Sequence, residues 1–142
     1  MDRVDRAIRS KNMAAVKSKN TQPELAVRRV AHRLGYRFRL HRTDLPGKPD
    51  IVFPRLRLAV FVHGCFWHQH PNCTKSVLPT SNSAFWSAKL TRNVARDKQN
   101  TEHLNKLGWA TTTIWECETK NQERLFRKME RCLSAFSLKT RR

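Results

Sequence analysis

Residues His63 to Cys73, HGCFWHQHPNC, hold three histidines, two cysteines and two large aromatics in eleven positions. Thiolates and imidazoles this close suit a transition metal, and Zn²⁺ takes four of them as a closed, unreactive tetrahedron. Cys65, His70 and Cys73 form a Cys-x₄-His-x₂-Cys pattern, and Cys117 offers a fourth thiolate from far along the chain. Spacing alone leaves His68 as eligible as His70. The adjacent pair Phe66 and Trp67 sits among these ligand types, where a rigid loop would present the rings outward rather than bury both.

Carboxylates are the second chemical resource, and they are scarce. Not one acid occurs between Ile51 and Arg96, and from Thr21 up to that stretch only Glu24, Asp44 and Asp50 occur. A divalent cation beside phosphate is held by oxygen ligands, so these few acids are informative. Asp50 opens a predicted strand and His63 closes the next. If the two strands pair as a hairpin, the start of one lies beside the end of the other. Asp50 and His63 are therefore expected to converge at one edge of the sheet, with Glu24 of the opening helix facing the same point. Two carboxylates and an imidazole around one pocket make a divalent-metal nuclease site. Each residue also has a plain alternative: Glu24 as a helix cap, Asp50 as a turn residue after Pro49, His63 as a structural histidine.

Charge points to the partner. Twenty-nine Lys and Arg against eleven Asp and Glu leave a formal +18, an excess that repels itself unless a polyanion is bound. Nucleic acid is the leading partner; an anionic membrane is the weaker one, because no strongly amphipathic basic helix is evident. The 142 residues read as one domain, 21–142, preceded by a basic arm, 1–20, that would order on DNA. No apolar run reaches the roughly 18 residues of a membrane span and no secretory leader pattern opens the chain, so a cytoplasmic protein with reduced cysteines is expected.

The elements that must position these groups follow from local pattern. TQPE, Thr21 to Glu24, is a capping box with proline in the first turn. The helix it opens carries the stripe Leu25, Val27, Val30, Ala31 and Leu34, and Gly35 stops it. YRFRLH alternates Tyr36, Phe38 and Leu40 against basic residues, a half-buried strand. DIVF and RLAVFVH are strands joined by a turn at Pro54 and Arg55, and the wholly apolar run Leu58 to Val62 suits a central strand. A helix, whole or broken, spans about 84–107, with Trp86, Leu90, Val94, Leu104 and Leu107 on its apolar side. ATTTIWEC is a β-branched strand, and Asn121 to Phe136 a last helix carrying Cys132 as a core thiol. Trp109 and Trp115 are assigned to the core. The order is α-β-β-β-α-β-α.

The segments PGKPDIVF, FVHGCFWH, FWSAKLTRNVARD and LGWATTTIWEC resemble the very-short-patch repair (Vsr) mismatch endonucleases, a branch of the restriction-endonuclease-like superfamily, over about Arg9 to Glu118. The resemblance implies an α/β fold of restriction-endonuclease-like type: an αβββαβ core, a mixed central sheet flanked by helices, and a structural zinc site. It implies Mg²⁺ held by Asp50 and the backbone carbonyl of Val62, with Glu24 and His63 acting largely through metal-bound water and His68 orienting or deprotonating the attacking water. It favours His70 over His68 in a zinc set with Cys65, Cys73 and Cys117, although this chain has one residue more between histidine and cysteine than the familiar form. Val62 stands where family members can carry threonine.

The resemblance further implies that Phe66, Trp67 and Trp86 wedge into the base stack. Unstacking is cheapest where pairing is already defective, so a wedge senses a mismatch. The implied activity is nicking of double-stranded DNA by a monomer, 5′ to the thymine of a T:G mismatch left by deaminated 5-methylcytosine. Repair proteins are candidate contacts that no motif identifies. Two other readings stand beside it: a nickase of the same fold without mismatch preference, in a restriction or mobile-element system, and a zinc-stabilised DNA-binding module without chemistry. The second leaves the convergence of Glu24, Asp50 and His63 without a purpose.

Overall fold

The computed structural model describes residues 20–140; nearly all of the expected arm, 1–20, lies outside the described residues. Its elements are α1 (Gln22–Arg33), β1 (Arg39–Leu40), β2 (Ile51–Phe53), β3 (Leu58–His63), α2 (Ser83–Lys106), β4 (Ala110–Trp115) and α3 (Gln122–Thr140). Their order is the expected one. The four strands form one mixed sheet in chain order: β1 and β3 flank β2 antiparallel, and β4 joins β3 in parallel.

Alternation along β2 and β3 divides the core into two layers. Ile51, Phe53, Leu58 and Val60 pack with Val27, Val30 and Ala31 of α1 and Leu125, Met129 and Leu133 of α3. Val52, Ala59 and Phe61 pack on the other face with Leu104 of α2 and Trp109. A strand buried on both faces must be apolar throughout, which is why Leu58 to Phe61 has no polar interruption. The link between β2 and β3 is a short 3₁₀ turn, Pro54–Leu56, closed by Arg57 in the left-handed region at φ 51°. Cys132 packs against the α1–α3 layer, as expected.

Three local expectations need correction. The half-buried strand at Tyr36 to His41 shortens to Arg39–Leu40; Tyr36 and Phe38 meet Phe53 edge-on at 6.3 and 6.2 Å, but Leu40 is exposed. Of the apolar residues expected on this helix, Leu90 and Leu104 are buried, but Val94 and Leu107, which caps the end of α2, are exposed. The reason is length: 24 residues of helix run about 36 Å, whereas the six-residue strand β3 is about 20 Å long, so much of α2 has no sheet beneath it. Trp115 is only half-buried and belongs to the site rather than the core, while Trp109 is buried as expected.

Candidate functional site

Asp50 stands immediately before β2 and His63 ends β3, and the pairing Ile51↔Val60 sets the start of one beside the end of the other. The Asp50 carboxylate accepts the Val62 amide hydrogen at 2.7 Å. Both strands are central in the sheet, so the convergence lies at strand ends rather than at the expected sheet edge. A cleft of about 540 Å³ opens there, lined by Glu24, Asp50, Val62, His63, Phe66, Trp67, His68 and Asp97 among others.

Glu24 reaches the cleft because of how α1 begins. Thr21 caps the helix, its hydroxyl accepting from the Glu24 amide at 3.4 Å. The return half of the expected capping box does not go to Thr21: the Glu24 carboxylate accepts instead from the Asn20 amide at 2.9 Å and from Arg28 at 3.2 Å. Ligand atoms of Glu24, Asp50 and His41 lie within 4.8 Å of one another. Burial pushes the Asp50 carboxyl up to about 7, with the nearby Glu24 charge adding to the shift and the Val62 amide opposing it. Two carboxylates so close, one of them reluctant to ionise, are an oxygen-rich donor set, and these donors fit Mg²⁺.

His41 was not expected here. It enters because β1 pairs with β2, its amide donating to the Asp50 carbonyl at 3.2 Å. Its Nε2 lies 2.9 Å from Arg28 Nη2 and 3.6 Å from Glu24. Arg28 can only donate, so Nε2 accepts and the ring proton sits on Nδ1.

Asp97 was also missed. Its carboxylate lies 2.7 Å from His68 Nδ1. A carboxylate accepts, so His68 Nδ1 donates to Asp97, and Nε2 is the ring nitrogen left for another partner. Asp97 is the first acid after the acid-free stretch ending at Arg96, and it shares a face of α2 with Trp86, Leu90 and Asn93 at spacings of three and four residues. That stripe was legible in the sequence. Its polar members face the cleft wall: Asn93 donates to the Trp67 carbonyl at 3.1 Å. His63 stacks on His68 with ring centroids 3.7 Å apart and planes 4° from parallel. Burial, aided by His68, pushes the His63 imidazole down to about 4, so it is neutral near pH 7.

Behind this wall lies the cysteine cluster. Ligand atoms of Cys65, His70, Cys73 and Cys117 lie within 4.8 Å of one another. His70 Nδ1 is 3.7 Å from the Cys65 sulfur and 3.4 Å from that of Cys117. Zn–S and Zn–N bonds of about 2.3 and 2.0 Å at tetrahedral angles give an N···S edge of about 3.5 Å, so the donor set fits Zn²⁺. His70 is the histidine in this group, and His68 is turned to Asp97. Gln69 and Asn72, at φ 51° and 58°, turn the loop on either side of His70, which accommodates the extra residue before Cys73. Burial raises the Cys65 thiol to about 12, opposed by a backbone hydrogen bond from Cys117 and helped by the Cys117 and Cys73 side chains.

The aromatics form one group. Phe66, Trp67 and Trp86 meet pairwise at 5.2 to 5.9 Å, Phe85 joins Trp86 at 5.3 Å, and Lys89 Nζ lies over the Trp67 ring at 5.6 Å. The three expected rings are half-buried, and Phe85 is exposed. Trp86 therefore belongs to a surface cluster on the unsupported end of α2.

Comparison with known proteins gives the family. The family model "DNA mismatch endonuclease Vsr" matches residues 1–75 of the 142. Among curated relatives, the type II nicking enzyme V.XorIIP of Xanthomonas oryzae is 52% identical over 82% of this chain and 85% of its own. The DNA mismatch endonuclease Vsr of Escherichia coli is 38% identical over 85% of this chain and 77% of its own. The type II nicking enzyme V.HpaIIP of Haemophilus parainfluenzae is 32% identical over 94% and 96%. The chain, with its cleft at the ends of the two central strands, belongs to the Vsr family of DNA endonucleases.

Proposed function

We propose that this protein nicks one strand of duplex DNA 5′ to the thymine of a T:G mismatch, by Mg²⁺-dependent hydrolysis of a phosphodiester. The observation that carries the reading is the meeting of Glu24, Asp50, His63 and His68 on one cleft whose rim bears Phe66 and Trp67. The αβββαβ order supports a restriction-endonuclease-like fold, with residues 21–142 as one nuclease domain and 1–20 as an arm that orders on DNA. The name of the Escherichia coli relative supports mismatch recognition.

Asp50 and the Val62 carbonyl would hold the catalytic ion, with Glu24 contributing through water. A Mg²⁺ bound there supplies Lewis-acid stabilisation of phosphoryl charge and a more acidic water. His68, its Nδ1 proton committed to Asp97, offers Nε2 to take a proton from the attacking water or to orient it. His63, neutral and buried, orients water in the same shell and supports the His68 ring by stacking. Arg28 holds the Glu24 carboxylate toward the cleft. Cys65, His70, Cys73 and Cys117 would hold a structural Zn²⁺, which would pin the loop bearing Phe66 and Trp67. Those rings and Trp86 wedge beside the mispair, where unstacking costs least. One active site per monomer suits a nick rather than a double-strand break. The site of action is the bacterial cytoplasm, on nucleoid DNA.

A second reading is a nickase of the same fold with no mismatch preference, which the names of the Xanthomonas and Haemophilus relatives favour. One panel separates the two: labelled duplexes differing at a single base pair, incubated with Mg²⁺ or with EDTA. Preferential cutting of T:G over T:A, abolished by EDTA, is the expected result. Equal rates on both duplexes would select the second reading, and an undiminished rate for Asp50→Ala would end the mechanism.

A further inference from the structure

Between the cysteine cluster and the cleft stands Trp115, and its neighbours form an unbroken file of rings. His70 lies flat on the indole, centroids 4.2 Å apart and planes 11° from parallel. On the cleft side His63 meets the same indole at 5.4 Å and 69°, and His63 in turn stacks on His68 at 3.7 Å. The file is set by the sheet: Trp115 and His63 are register partners on the parallel strands β4 and β3, so their side chains leave the same face side by side. Trp115 is itself anchored, its amide donating at 2.9 Å to Glu118, whose carboxylate is gripped by Lys128 at 2.6 Å. Next along the chain, the Glu116 carboxylate accepts the Cys65 amide at 3.4 Å.

We infer that Trp115 is a positioning residue, which transmits the geometry of the Cys65–His70–Cys73–Cys117 cluster to His63 and His68. A stacked ring cannot turn without losing its partner face, so a flat indole locked on one side to His70 fixes the rotation of His63 on the other. The cluster then does more than stiffen a loop: it sets the orientation of two imidazoles that share no ligand with it. This inference rests on the proposed roles of His63 and His68. Misplacing an acting group by about 1 Å costs on the order of 100-fold in rate, which is the scale of effect expected.

The test uses the full chain, loaded with one Zn²⁺, as parent, Trp115→Leu and Trp115→Phe. Trp115→Leu is expected to lower the nicking kcat about 100-fold while KM for duplex, zinc content and circular dichroism stay as in the parent; Trp115→Phe, which keeps a ring in the file, is expected to stay within about threefold. The His63 ring-proton resonance, displaced by the ring currents of its neighbours, should move toward its free value in Trp115→Leu, and in the parent when zinc is stripped by a chelator. An unmoved His63 resonance in both cases would overturn the inference, as would a kcat loss in Trp115→Leu that merely tracks lost zinc or lost structure. A separate His63→Ala variant tells the two ideas apart: full activity there removes the proposed role of His63, whereas the resonance still reports whether Trp115 orients the ring.

Discussion

The Asp50 carboxylate accepts the amide hydrogen of Val62 at 2.7 Å, across the antiparallel pair that joins β2 to β3. This bond ties an acid that stands just before one central strand to the extended backbone of β3 immediately before His63. It also means that Asp50 is positioned by the sheet itself rather than by a loop. The consequences for cation binding, proton transfer and stability can each be measured.

Cation binding at Asp50 should release a proton near neutrality. With the carboxyl held up to about 7 in the metal-free protein, a cation must displace that proton at lower pH. Apparent Mg²⁺ affinity is expected to rise about tenfold per pH unit below about 7 and to level off above it. Titration calorimetry in two buffers of different ionisation enthalpy checks this, and a pH-independent affinity would contradict it.

Removing the Asp97 carboxylate should cost rate and not binding. In Asp97→Asn the side chain can donate, so His68 is free to place its proton on Nε2, the wrong nitrogen for accepting one. A fall in kcat of about 100-fold or more is expected, with KM for duplex unchanged, because an orienting carboxylate acts through the imidazole it holds. Single-turnover and steady-state nicking assays separate the two parameters.

The cysteine cluster should carry folding free energy. Cys117→Ala removes one of four donors, and both that variant and chelator treatment are expected to lower the melting temperature, by several degrees or more, together with zinc content. Replacement by Co²⁺ offers an independent readout, since a tetrahedral sulfur-rich site gives intense visible absorption. Cys132→Ala, outside the cluster, should leave zinc content unchanged.

Stability of the metal-free protein should depend on pH through two opposed groups. Asp50 in the fold keeps a proton that the unfolded chain has released, so its contribution falls as pH rises from about 4 to about 7. His63 in the fold refuses a proton that the unfolded chain accepts below 6.5, so its contribution rises with pH from about 4 to 6.5. The two nearly cancel over that window. Asp50→Asn removes one side of the balance, and stability of the variant is expected to climb with pH by up to about 1.4 kcal/mol per unit between about 4 and 6.5. Denaturant titrations at four pH values would reveal equal slopes in parent and variant if the pairing is wrong.

Local chemistry in the chain specified a good deal by itself. Element order followed from apolar periodicity, because helices and strands of a layered fold must bury one stripe or alternate residues, and Leu58 to Phe61 could be apolar only as a strand covered on both faces. The convergence of Asp50 with His63 followed from hairpin arithmetic, and the cysteine cluster from ligand type and spacing. What periodicity could not give was the length of sheet beneath α2, so Val94 and Leu107 looked like core residues and are exposed, while Asp97 on the same helix lines the cleft. His41, Arg28 and Trp115 were likewise decided only in three dimensions. His41 reaches Glu24 through pairing of β1 with β2, and Trp115 reaches His63 through parallel register with β3. Strand register joins residues tens of positions apart by backbone hydrogen bonds, and no local preference of either segment encodes its partner.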